Sequence, residues 1–369
     1  MAFLELDEIR KEFGDLVAVD DVSLDIEEGQ FVTIVGPSGC GKSTILRSIT
    51  GLETLTDGEI RLEGEDITDL PPYRRNIGLV FQDYALFPHK TVFENVAFGL
   101  KMRNAPEAEQ RERVEEMLRM VNLEGYEEKY PEECSGGEQQ RIAVARAIAF
   151  DPDLVLMDEP LSNLDKNLRT SIRSELRRIQ EETGVTTVYV THNQNEALSL
   201  GDKIAVMNDG RLEQFDAPET VYREPETRFV ADFLGRSTEV VGTYRRENGR
   251  AVAELADGIE LEVPADETLA AGDTVSLFLR DEKLKLVDGT EPTSNVIQGT
   301  VESVDYRGRD INYFIRVPEL DQTLQVSHIA DHSEETFHEL GDTVSMHIEP
   351  ENVTCLPAGD APVAEQGEP

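Results

Sequence analysis

The chain carries the segment Gly36-Pro37-Ser38-Gly39-Cys40-Gly41-Lys42-Ser43-Thr44, which fits the pattern G-x-x-x-x-G-K-[ST] at every fixed position. An apolar run, Phe31–Val35, precedes it and predicts a buried strand, and the helical pattern that follows ends near Thr50. A glycine-rich turn between a strand and a helix surrounds a phosphate with backbone N–H groups and the positive end of the helix. The sequence therefore predicts a nucleoside triphosphate site in a P-loop α/β fold.

Two side chains of this loop have expected tasks of their own. The ammonium group of Lys42 adds a positive charge near the β and γ phosphates, and the hydroxyl of Ser43 ligates Mg²⁺. The whole of Gly36–Thr44 is predicted to contact the nucleotide.

A second apolar run, Leu154–Met157, predicts a buried strand that ends in Asp158-Glu159. Residues after parallel strands meet at the carboxyl edge of the sheet, beside the phosphate loop. We expect Asp158 to hold the Mg²⁺ shell and Glu159 to polarise the water that attacks the γ phosphate. Without the phosphate loop, the same pair would indicate a surface turn.

The segment Cys134-Ser135-Gly136-Gly137-Glu138 precedes a strong helical pattern. Ser135, Gly136 and Gly137 would expose backbone N–H groups and a hydroxyl at the start of a helix, which predicts a second anion site. One chain needs one cradle for its γ phosphate. The second cradle therefore suggests that two chains face each other head to tail.

With these motifs in order, the first domain resembles the ATP-binding subunit of ABC transporters. The resemblance implies that Phe13 stacks on adenine, that Gln82 contacts Mg²⁺ and the attacking water, and that His192 contacts the γ phosphate. It also assigns Ser162–Asp165 to the D-loop. The family signature is usually Leu-Ser-Gly-Gly-Gln, so Cys134 and Glu138 depart from it, and Glu138 would bring a carboxylate near the opposing nucleotide.

The composition is strongly acidic, with 75 Asp and Glu against 35 Lys and Arg, a formal net charge of −40 and only nine lysines. Such a field repels nucleic acid and anionic lipid. At about 1 M salt the Debye length falls to about 3 Å, so this self-repulsion would be screened there. We interpret the composition as adaptation to high salt, and an ordinary acidic protein is the alternative.

Cysteine usage and hydropathy bear on the compartment. The three cysteines lack disulfide or metal spacing and fit a reducing cytoplasm. The first residues show no export signal, and apolar stretches such as 142–150 fall short of the roughly 20 residues needed to cross a bilayer. These features fit a cytoplasmic protein that needs a separate partner for any membrane role. The resemblance to ABC transporter subunits then implies a peripheral protein at the cytoplasmic face of the cell membrane.

Beyond Gly235 the sequence consists of short segments in which apolar and polar residues alternate, which predicts a small all-β domain. This part contains a repeat, because Gly272–Ser276 recurs as Gly341–Ser345 and Val241–Thr243 is echoed by Gln298–Thr300. Two such units would pack together as a pair of barrel-like subdomains. We place an ATP-binding domain at 1–235, a β domain at 236–357 and a disordered acidic tail at 358–369. The second domain resembles the TOBE, or oligobinding-fold-like, extension of importer ATPases.

These resemblances imply an ATPase subunit of an importer that works with a second copy of itself, two membrane permease subunits and, indirectly, an extracellular solute-binding protein. The segment 83–96 would line the groove for a permease helix, and the expected cargo is a polyamine or ferric iron. Sugar or inorganic-anion import is an alternative. A soluble ABC ATPase acting on nucleic acid or the ribosome is disfavoured by the acidic charge, and a non-hydrolysing regulatory module by the intact Glu159 and His192.

One basic stripe has a plainer interpretation. The arginines at 169, 173, 177 and 178 fall on a predicted helix whose other face is apolar, so we expect them to be solvated.

Overall fold

A computed structural model describes residues 2–247, 249–287, 294–307, 310–329 and 338–359. These residues form two compact units, Met1–Val221 and Tyr222–Pro369. The boundary expected from the sequence, after Gly235, falls inside the second unit. Most of the predicted tail, residues 360–369, lies outside the described residues.

The first unit contains two sheets. Their strands are β1 (Leu4–Phe13), β2 (Leu16–Ile26), β3 (Phe31–Val35), β4 (Asp57–Leu62), β5 (Glu65–Asp66), β6 (Ile77–Val80), β7 (Leu154–Asp158), β8 (Thr186–Thr191), β9 (Lys203–Asn208) and β10 (Arg211–Asp216). The larger sheet has the order β10-β9-β3-β8-β7-β6, and the strands from β9 to β6 run parallel. The smaller sheet, β2-β1-β4-β5, is antiparallel.

Helices alternate with these strands along the chain. They are α1 (Lys42–Thr50), α2 (Val92–Val96), α3 (Phe98–Met102), α4 (Glu107–Met120), α5 (Gly136–Ile148), α6 (Lys166–Thr183), α7 (Gln194–Leu200) and α8 (Pro218–Arg223), the last of which contains the boundary between the units. None of the described helices is long and apolar enough to span a membrane.

The parallel sheet is buried on both faces, as its continuous apolar strands require. Side chains alternate between the faces. On β7, Leu154 and Leu156 join the core formed with α1 and the antiparallel sheet, whereas Val155 and Met157 join the core formed with α2, α4, α5 and α6. This two-sided burial fixes the strands, and their ends carry the residues of the predicted site.

After the end of α8, the second unit contains α9 (Arg228–Phe233) and then β strands. These are β11 (Ser237–Glu247), β12 (Arg250–Glu254), β13 (Glu260–Val263), β14 (Thr274–Arg280), β15 (Lys285–Val287), β16 (Val296–Arg307), β17 (Asp310–Val317), β18 (Gln322–Ile329), β19 (Thr343–His347) and β20 (Val353–Pro357). They form two sheets, β13-β12-β11-β14-β20 and β15-β19-β16-β17-β18, which share one hydrophobic core.

The internal repeat appears as the same pairing in both sheets. In the first, Gly242 pairs with Val275, and in the second Gly299 pairs with Val344. The final strand of each copy is exchanged, because β15 follows the first copy but pairs with β19, and β20 follows the second copy but pairs with β14. Each repeat therefore completes the sheet of the other.

Candidate active site

Four segments of the predicted site leave the parallel sheet at the same edge. Val35 pairs with Thr191, Asp158 with Val190, and Val80 with Met157. Because the pairing aligns these strand ends, the phosphate loop, Glu159, His192 and the segment that begins at Phe81 all start at this carboxyl edge. The carboxyl edge is the usual place for ligands in such sheets.

The shape of the phosphate loop requires glycine at two positions. A Cβ on Gly36 would lie 2.2 Å from the carbonyl oxygen of Met207, and a Cβ on Gly41 would lie 2.3 Å from that of Ala18. Gly41 also has a φ of 99°, in the left-handed region, where it immediately precedes α1. No larger residue fits at either position.

Lys42 folds back over the same loop. Its Nζ donates to the carbonyl oxygens of Gly36 and Pro37, at 2.8 and 2.7 Å, and its side chain is buried. Pro37, Ser38 and Gly39 are exposed at the rim, whereas Cys40 is buried beneath it. The loop therefore presents a positive charge next to a surface open to a ligand.

The hydroxyl of Ser43 donates to Oδ1 of Asp158 at 3.0 Å, which brings the two predicted metal ligands together. Burial raises the pKa of Asp158, the hydrogen bond from Ser43 opposes this, and the neighbouring Glu159 adds to it. Among the described residues no group of three or more His, Cys, Asp and Glu could hold a metal alone. One carboxylate and one hydroxyl nevertheless fit Mg²⁺, which keeps several waters and shares phosphate oxygens in nucleotide sites.

Glu159 and His192 form a second pair, with 3.0 Å between Oε2 and Nδ1. The backbone of Glu159 is left-handed, with a φ of 44°. Its N–H donates to the carbonyl of Val190 at 3.0 Å, and its carbonyl accepts the backbone N–H and hydroxyl of Ser162, at 3.1 and 2.9 Å. A non-glycine residue in this region is strained and is held by its neighbours. The Glu159 carboxylate is thus fixed beside an exposed imidazole.

The other nucleotide and metal candidates lie at the surface. Gln82 is exposed, and its carbonyl accepts from Nδ2 of Asn163, on the predicted D-loop, at 3.3 Å. Phe13 ends β1 with 46% of its surface exposed, and the ammonium of Lys11 lies 4.7 Å from the centre of its ring. Both side chains are therefore accessible to a ligand.

Ser135 caps α5 and forms a reciprocal capping box with Glu138. The Glu138 carboxylate accepts the backbone N–H of Ser135 at 2.7 Å and the hydroxyl of Tyr126 at 2.6 Å. These two donors lower the pKa of Glu138, the Tyr126 bond having the larger effect. The charge that departs from the usual signature is therefore engaged within the chain, one bond on each carboxylate oxygen, and it fixes the turn.

Two residues beside the site, Glu196 and Arg169, make contacts that left no signal in the sequence. The buried carboxylate of Glu196 accepts the hydroxyls of Tyr189 and Thr191, both at 2.8 Å, so it supports the strand that ends before His192. Arg169 approaches Glu196 at 3.7 Å and donates to the carbonyl of Leu164 at 3.0 Å.

The expected solvated face of α6 is therefore wrong in part. Arg169 bridges the D-loop and α7, and Arg177 binds Asp202 at 2.8 Å and the carbonyl of Leu200 at 3.2 Å. These two arginines therefore join α6 to neighbouring elements instead of facing only solvent.

The fold and this site define an ABC-type ATPase, which uses ATP with Mg²⁺. Residues 19–162 match the ABC transporter family, and residues 277–356 match the TOBE domain. Two relatives are called spermidine/putrescine import ATP-binding protein PotA. The one from Rubrobacter xylanophilus is 44% identical over 346 residues, covering 93% of this chain and 90% of that protein. The one from Clostridium novyi is 41% identical over 353 residues, covering 96% and 97%. The chain belongs to this family of ABC transporter ATPases with a C-terminal TOBE domain.

Solved structures agree with the first unit. A component of the ABC transporter complex cbiONQ from Clostridium perfringens is 29% identical, with a TM-score of 0.57, and covers 61% of this chain and 92% of that one. A dimeric ATP-binding cassette in a post-hydrolysis state, bound to ADP and Pi, is 37% identical, with a TM-score of 0.53, and covers 58% and 98%. The predicted fold and ATPase class are confirmed.

Proposed function

We propose that this chain is the ATP-hydrolysing subunit of a polyamine importer and that two copies close head to tail around ATP. One observation supports the head-to-tail dimer. Ser135 and Gly136 are exposed at the start of α5, and within the described residues no hydrogen bond joins 135–137 to the phosphate loop. The turn at Ser135 and Gly136 is therefore open to a phosphate that another copy of the chain holds. The dimeric, ADP-bound relative supports this arrangement.

Within each half of the dimer, the side chains divide the work. Phe13 stacks on the base, Lys42 and the loop amides hold the phosphates, and Ser43, Asp158 and Gln82 would hold Mg²⁺. When bound there, the metal would neutralise charge on the β and γ phosphates. Glu159 accepts a proton from the attacking water, and His192, hydrogen-bonded to it, lies at the γ phosphate.

Closure then depends on the γ phosphate, because it is the group that both copies contact. After hydrolysis the shared contact is lost, so the open state gains population. ATP binding and hydrolysis thus alternate two arrangements of the pair.

A groove lined by Phe81 is the contact through which this opening and closing is transmitted to the membrane subunits. A cavity of about 330 Å³ is lined mainly by apolar and aromatic residues, among them Phe81, Phe87, Phe98 and Phe150. Phe81 is 41% exposed. Within the neighbouring segment 83–96, Val96 is buried in the core, so its role is packing rather than contact with a permease. The rest of the groove suits a helix of a permease subunit at the cytoplasmic face of the membrane.

The cargo is tested by assembly with the permease. The relatives' names support spermidine or putrescine. We expect the chain to co-purify with permease subunits encoded beside it. In vesicles that contain this complex, the binding protein loaded with spermidine should stimulate ATP hydrolysis, whereas the unloaded binding protein should not. Stimulation by ferric iron or a sugar instead would reassign the cargo, and failure to associate with any permease would reject the importer.

We also propose that the protein is adapted to high salt. With a net charge of −40, like charges repel across the whole surface of the folded chain. Raising KCl from about 0.1 M to about 1 M shortens the Debye length from about 10 Å to about 3 Å. We therefore expect the melting temperature, measured by calorimetry, to rise across this range. Sucrose at matched osmolality is the control for a general solute effect. Equal melting temperatures in dilute and molar KCl would contradict the adaptation.

A further inference from the structure

The segment that follows β6, residues 82–87, is held by side chains from three other elements. Asn163, on the D-loop, donates to the carbonyl of Gln82 at 3.3 Å. Arg146, on α5, donates to the carbonyls of Tyr84 and Ala85, at 2.8 and 2.7 Å. Asn95, on α2, exchanges hydrogen bonds with the backbone of Phe87, at 2.8 and 3.1 Å. The position of Gln82 is thus tied to several parts of the ATPase unit.

The two residues held by Arg146 have an unusual backbone. Tyr84 has a φ of 59° and Ala85 a φ of 45°, so two consecutive non-glycine residues are left-handed. Residues with a Cβ rarely adopt this region, and then usually singly. Such a pair persists only where the surroundings enforce it. The two carbonyls that Arg146 binds belong to these same two residues.

Arg146 is suited to this task by its own environment. Burial lowers the pKa of its guanidinium group, and among the described residues no carboxylate forms an ion pair with it. The ring of Phe87 lies 5.7 Å from the guanidinium carbon. Its charge is therefore directed at the two carbonyls, and hydrogen bonds from a charged donor are stronger than neutral ones.

We propose that Arg146 is a positioning residue that fixes the Tyr84–Ala85 pair and so couples Gln82 to the helix of the signature turn. Arg146 lies on α5, which begins directly after Ser135. A helix moves as a rod, so a displacement at Ser135 carries the Arg146 guanidinium with it. The carbonyls that it holds lie two and three residues after Gln82. The inference rests on the proposed roles of Gln82 and of the Ser135 turn.

The test is Arg146→Lys in the full chain. Lysine keeps the charge but loses the planar fork that donates to two acceptors at once. We expect ATP affinity to stay within about twofold, because the phosphate loop is untouched, and kcat to fall about 10- to 100-fold through misplacement of Gln82. If the substitution only destabilised the fold, the melting temperature would fall, and ATP affinity and kcat would decrease together.

Arg103→Lys is the matched control. Arg103 donates to the carbonyl of Phe150 at 3.0 Å and its guanidinium lies 4.4 Å from that ring, but it makes no hydrogen bond to 82–87 among the described residues. It should keep the wild-type kcat. If Arg146→Lys behaves like Arg103→Lys, the inference about Arg146 is rejected.

A second substitution tests the mechanism itself. Glycine adopts positive φ without a clamp, so Ala85→Gly should relieve the Arg146→Lys variant and raise its kcat at least threefold. If Arg146→Lys fails to fold, recovery of folding by Ala85→Gly supports the clamp. If the double variant improves neither kcat nor folding over Arg146→Lys, the proposed role of Arg146 in holding Tyr84 and Ala85 is rejected. Loss of ATP hydrolysis in the wild-type chain would instead reject the proposed function.

Discussion

Glu159→Gln is expected to bind ATP like the wild type but to hydrolyse it about 10²- to 10⁴-fold more slowly. Glutamine has the same shape, and the backbone bonds of Glu159 to Val190 and Ser162 remain. An amide cannot accept the proton of the attacking water, so the chemical step loses its base while the phosphate loop keeps its contacts. ATP binding by titration and single-turnover hydrolysis measure the two effects separately.

The same variant should trap the closed dimer. Because hydrolysis is blocked, the γ phosphate continues to join the phosphate loop of one copy to Ser135 of the other. Light scattering with saturating ATP and Mg²⁺ should then give twice the mass of the chain, and ADP should not. The exposed Glu112→Gln serves as a charge-matched control that hydrolyses ATP normally. Monomers that persist in ATP, with hydrolysis blocked and a permease present, would refute the shared-nucleotide dimer.

Lys42→Ala is expected to weaken ATP binding itself. The side chain is buried and its ammonium bonds to the carbonyls of Gly36 and Pro37, so the substitution removes both a charge and a constraint on the loop. A hydrogen bond to a charged group contributes about 1.5–3 kcal/mol, which corresponds to about a 10- to 100-fold loss of affinity. Isothermal titration with MgATP measures it directly.

The control for Lys42→Ala is Lys285→Ala, at an exposed lysine of the second unit. It removes one positive charge from the same acidic chain without touching the loop. Unchanged ATP affinity in Lys42→Ala, or an equal loss in both variants, would argue against the assigned role of Lys42.

The core of the site could be predicted because its signals are local. The phosphate loop and the Asp158-Glu159 pair each follow a short apolar run, and parallel strands bring their ends to one edge. The meeting of strand ends at one edge already predicts that Ser43 lies near Asp158 and Glu159 near His192, and both pairs are hydrogen-bonded. The repeat in the second unit was also visible, as the recurrence of Gly272–Ser276.

The remaining contacts were hidden because they join side chains of different elements, for which the sequence has no local pattern. Arg146 interrupts an apolar helix face and looks like a break in it, yet it binds carbonyls 61 and 62 residues earlier. Backbone φ values at Tyr84 and Ala85 follow from that contact, since neither residue type favours them. The capping box of Glu138 has a local pattern, but its bond to Tyr126 does not.

The exchange of β15 and β20 in the second unit affects how that unit is made during translation. Strand β14 obtains one of its two neighbours only when residues 353–357 have been synthesised. Until then, β14 of the first repeat has one unpaired edge, and a strand of another nascent chain could pair with that edge. The strands of the first unit's sheets are all synthesised by Asp216, so that unit can complete its sheets while the second is still emerging.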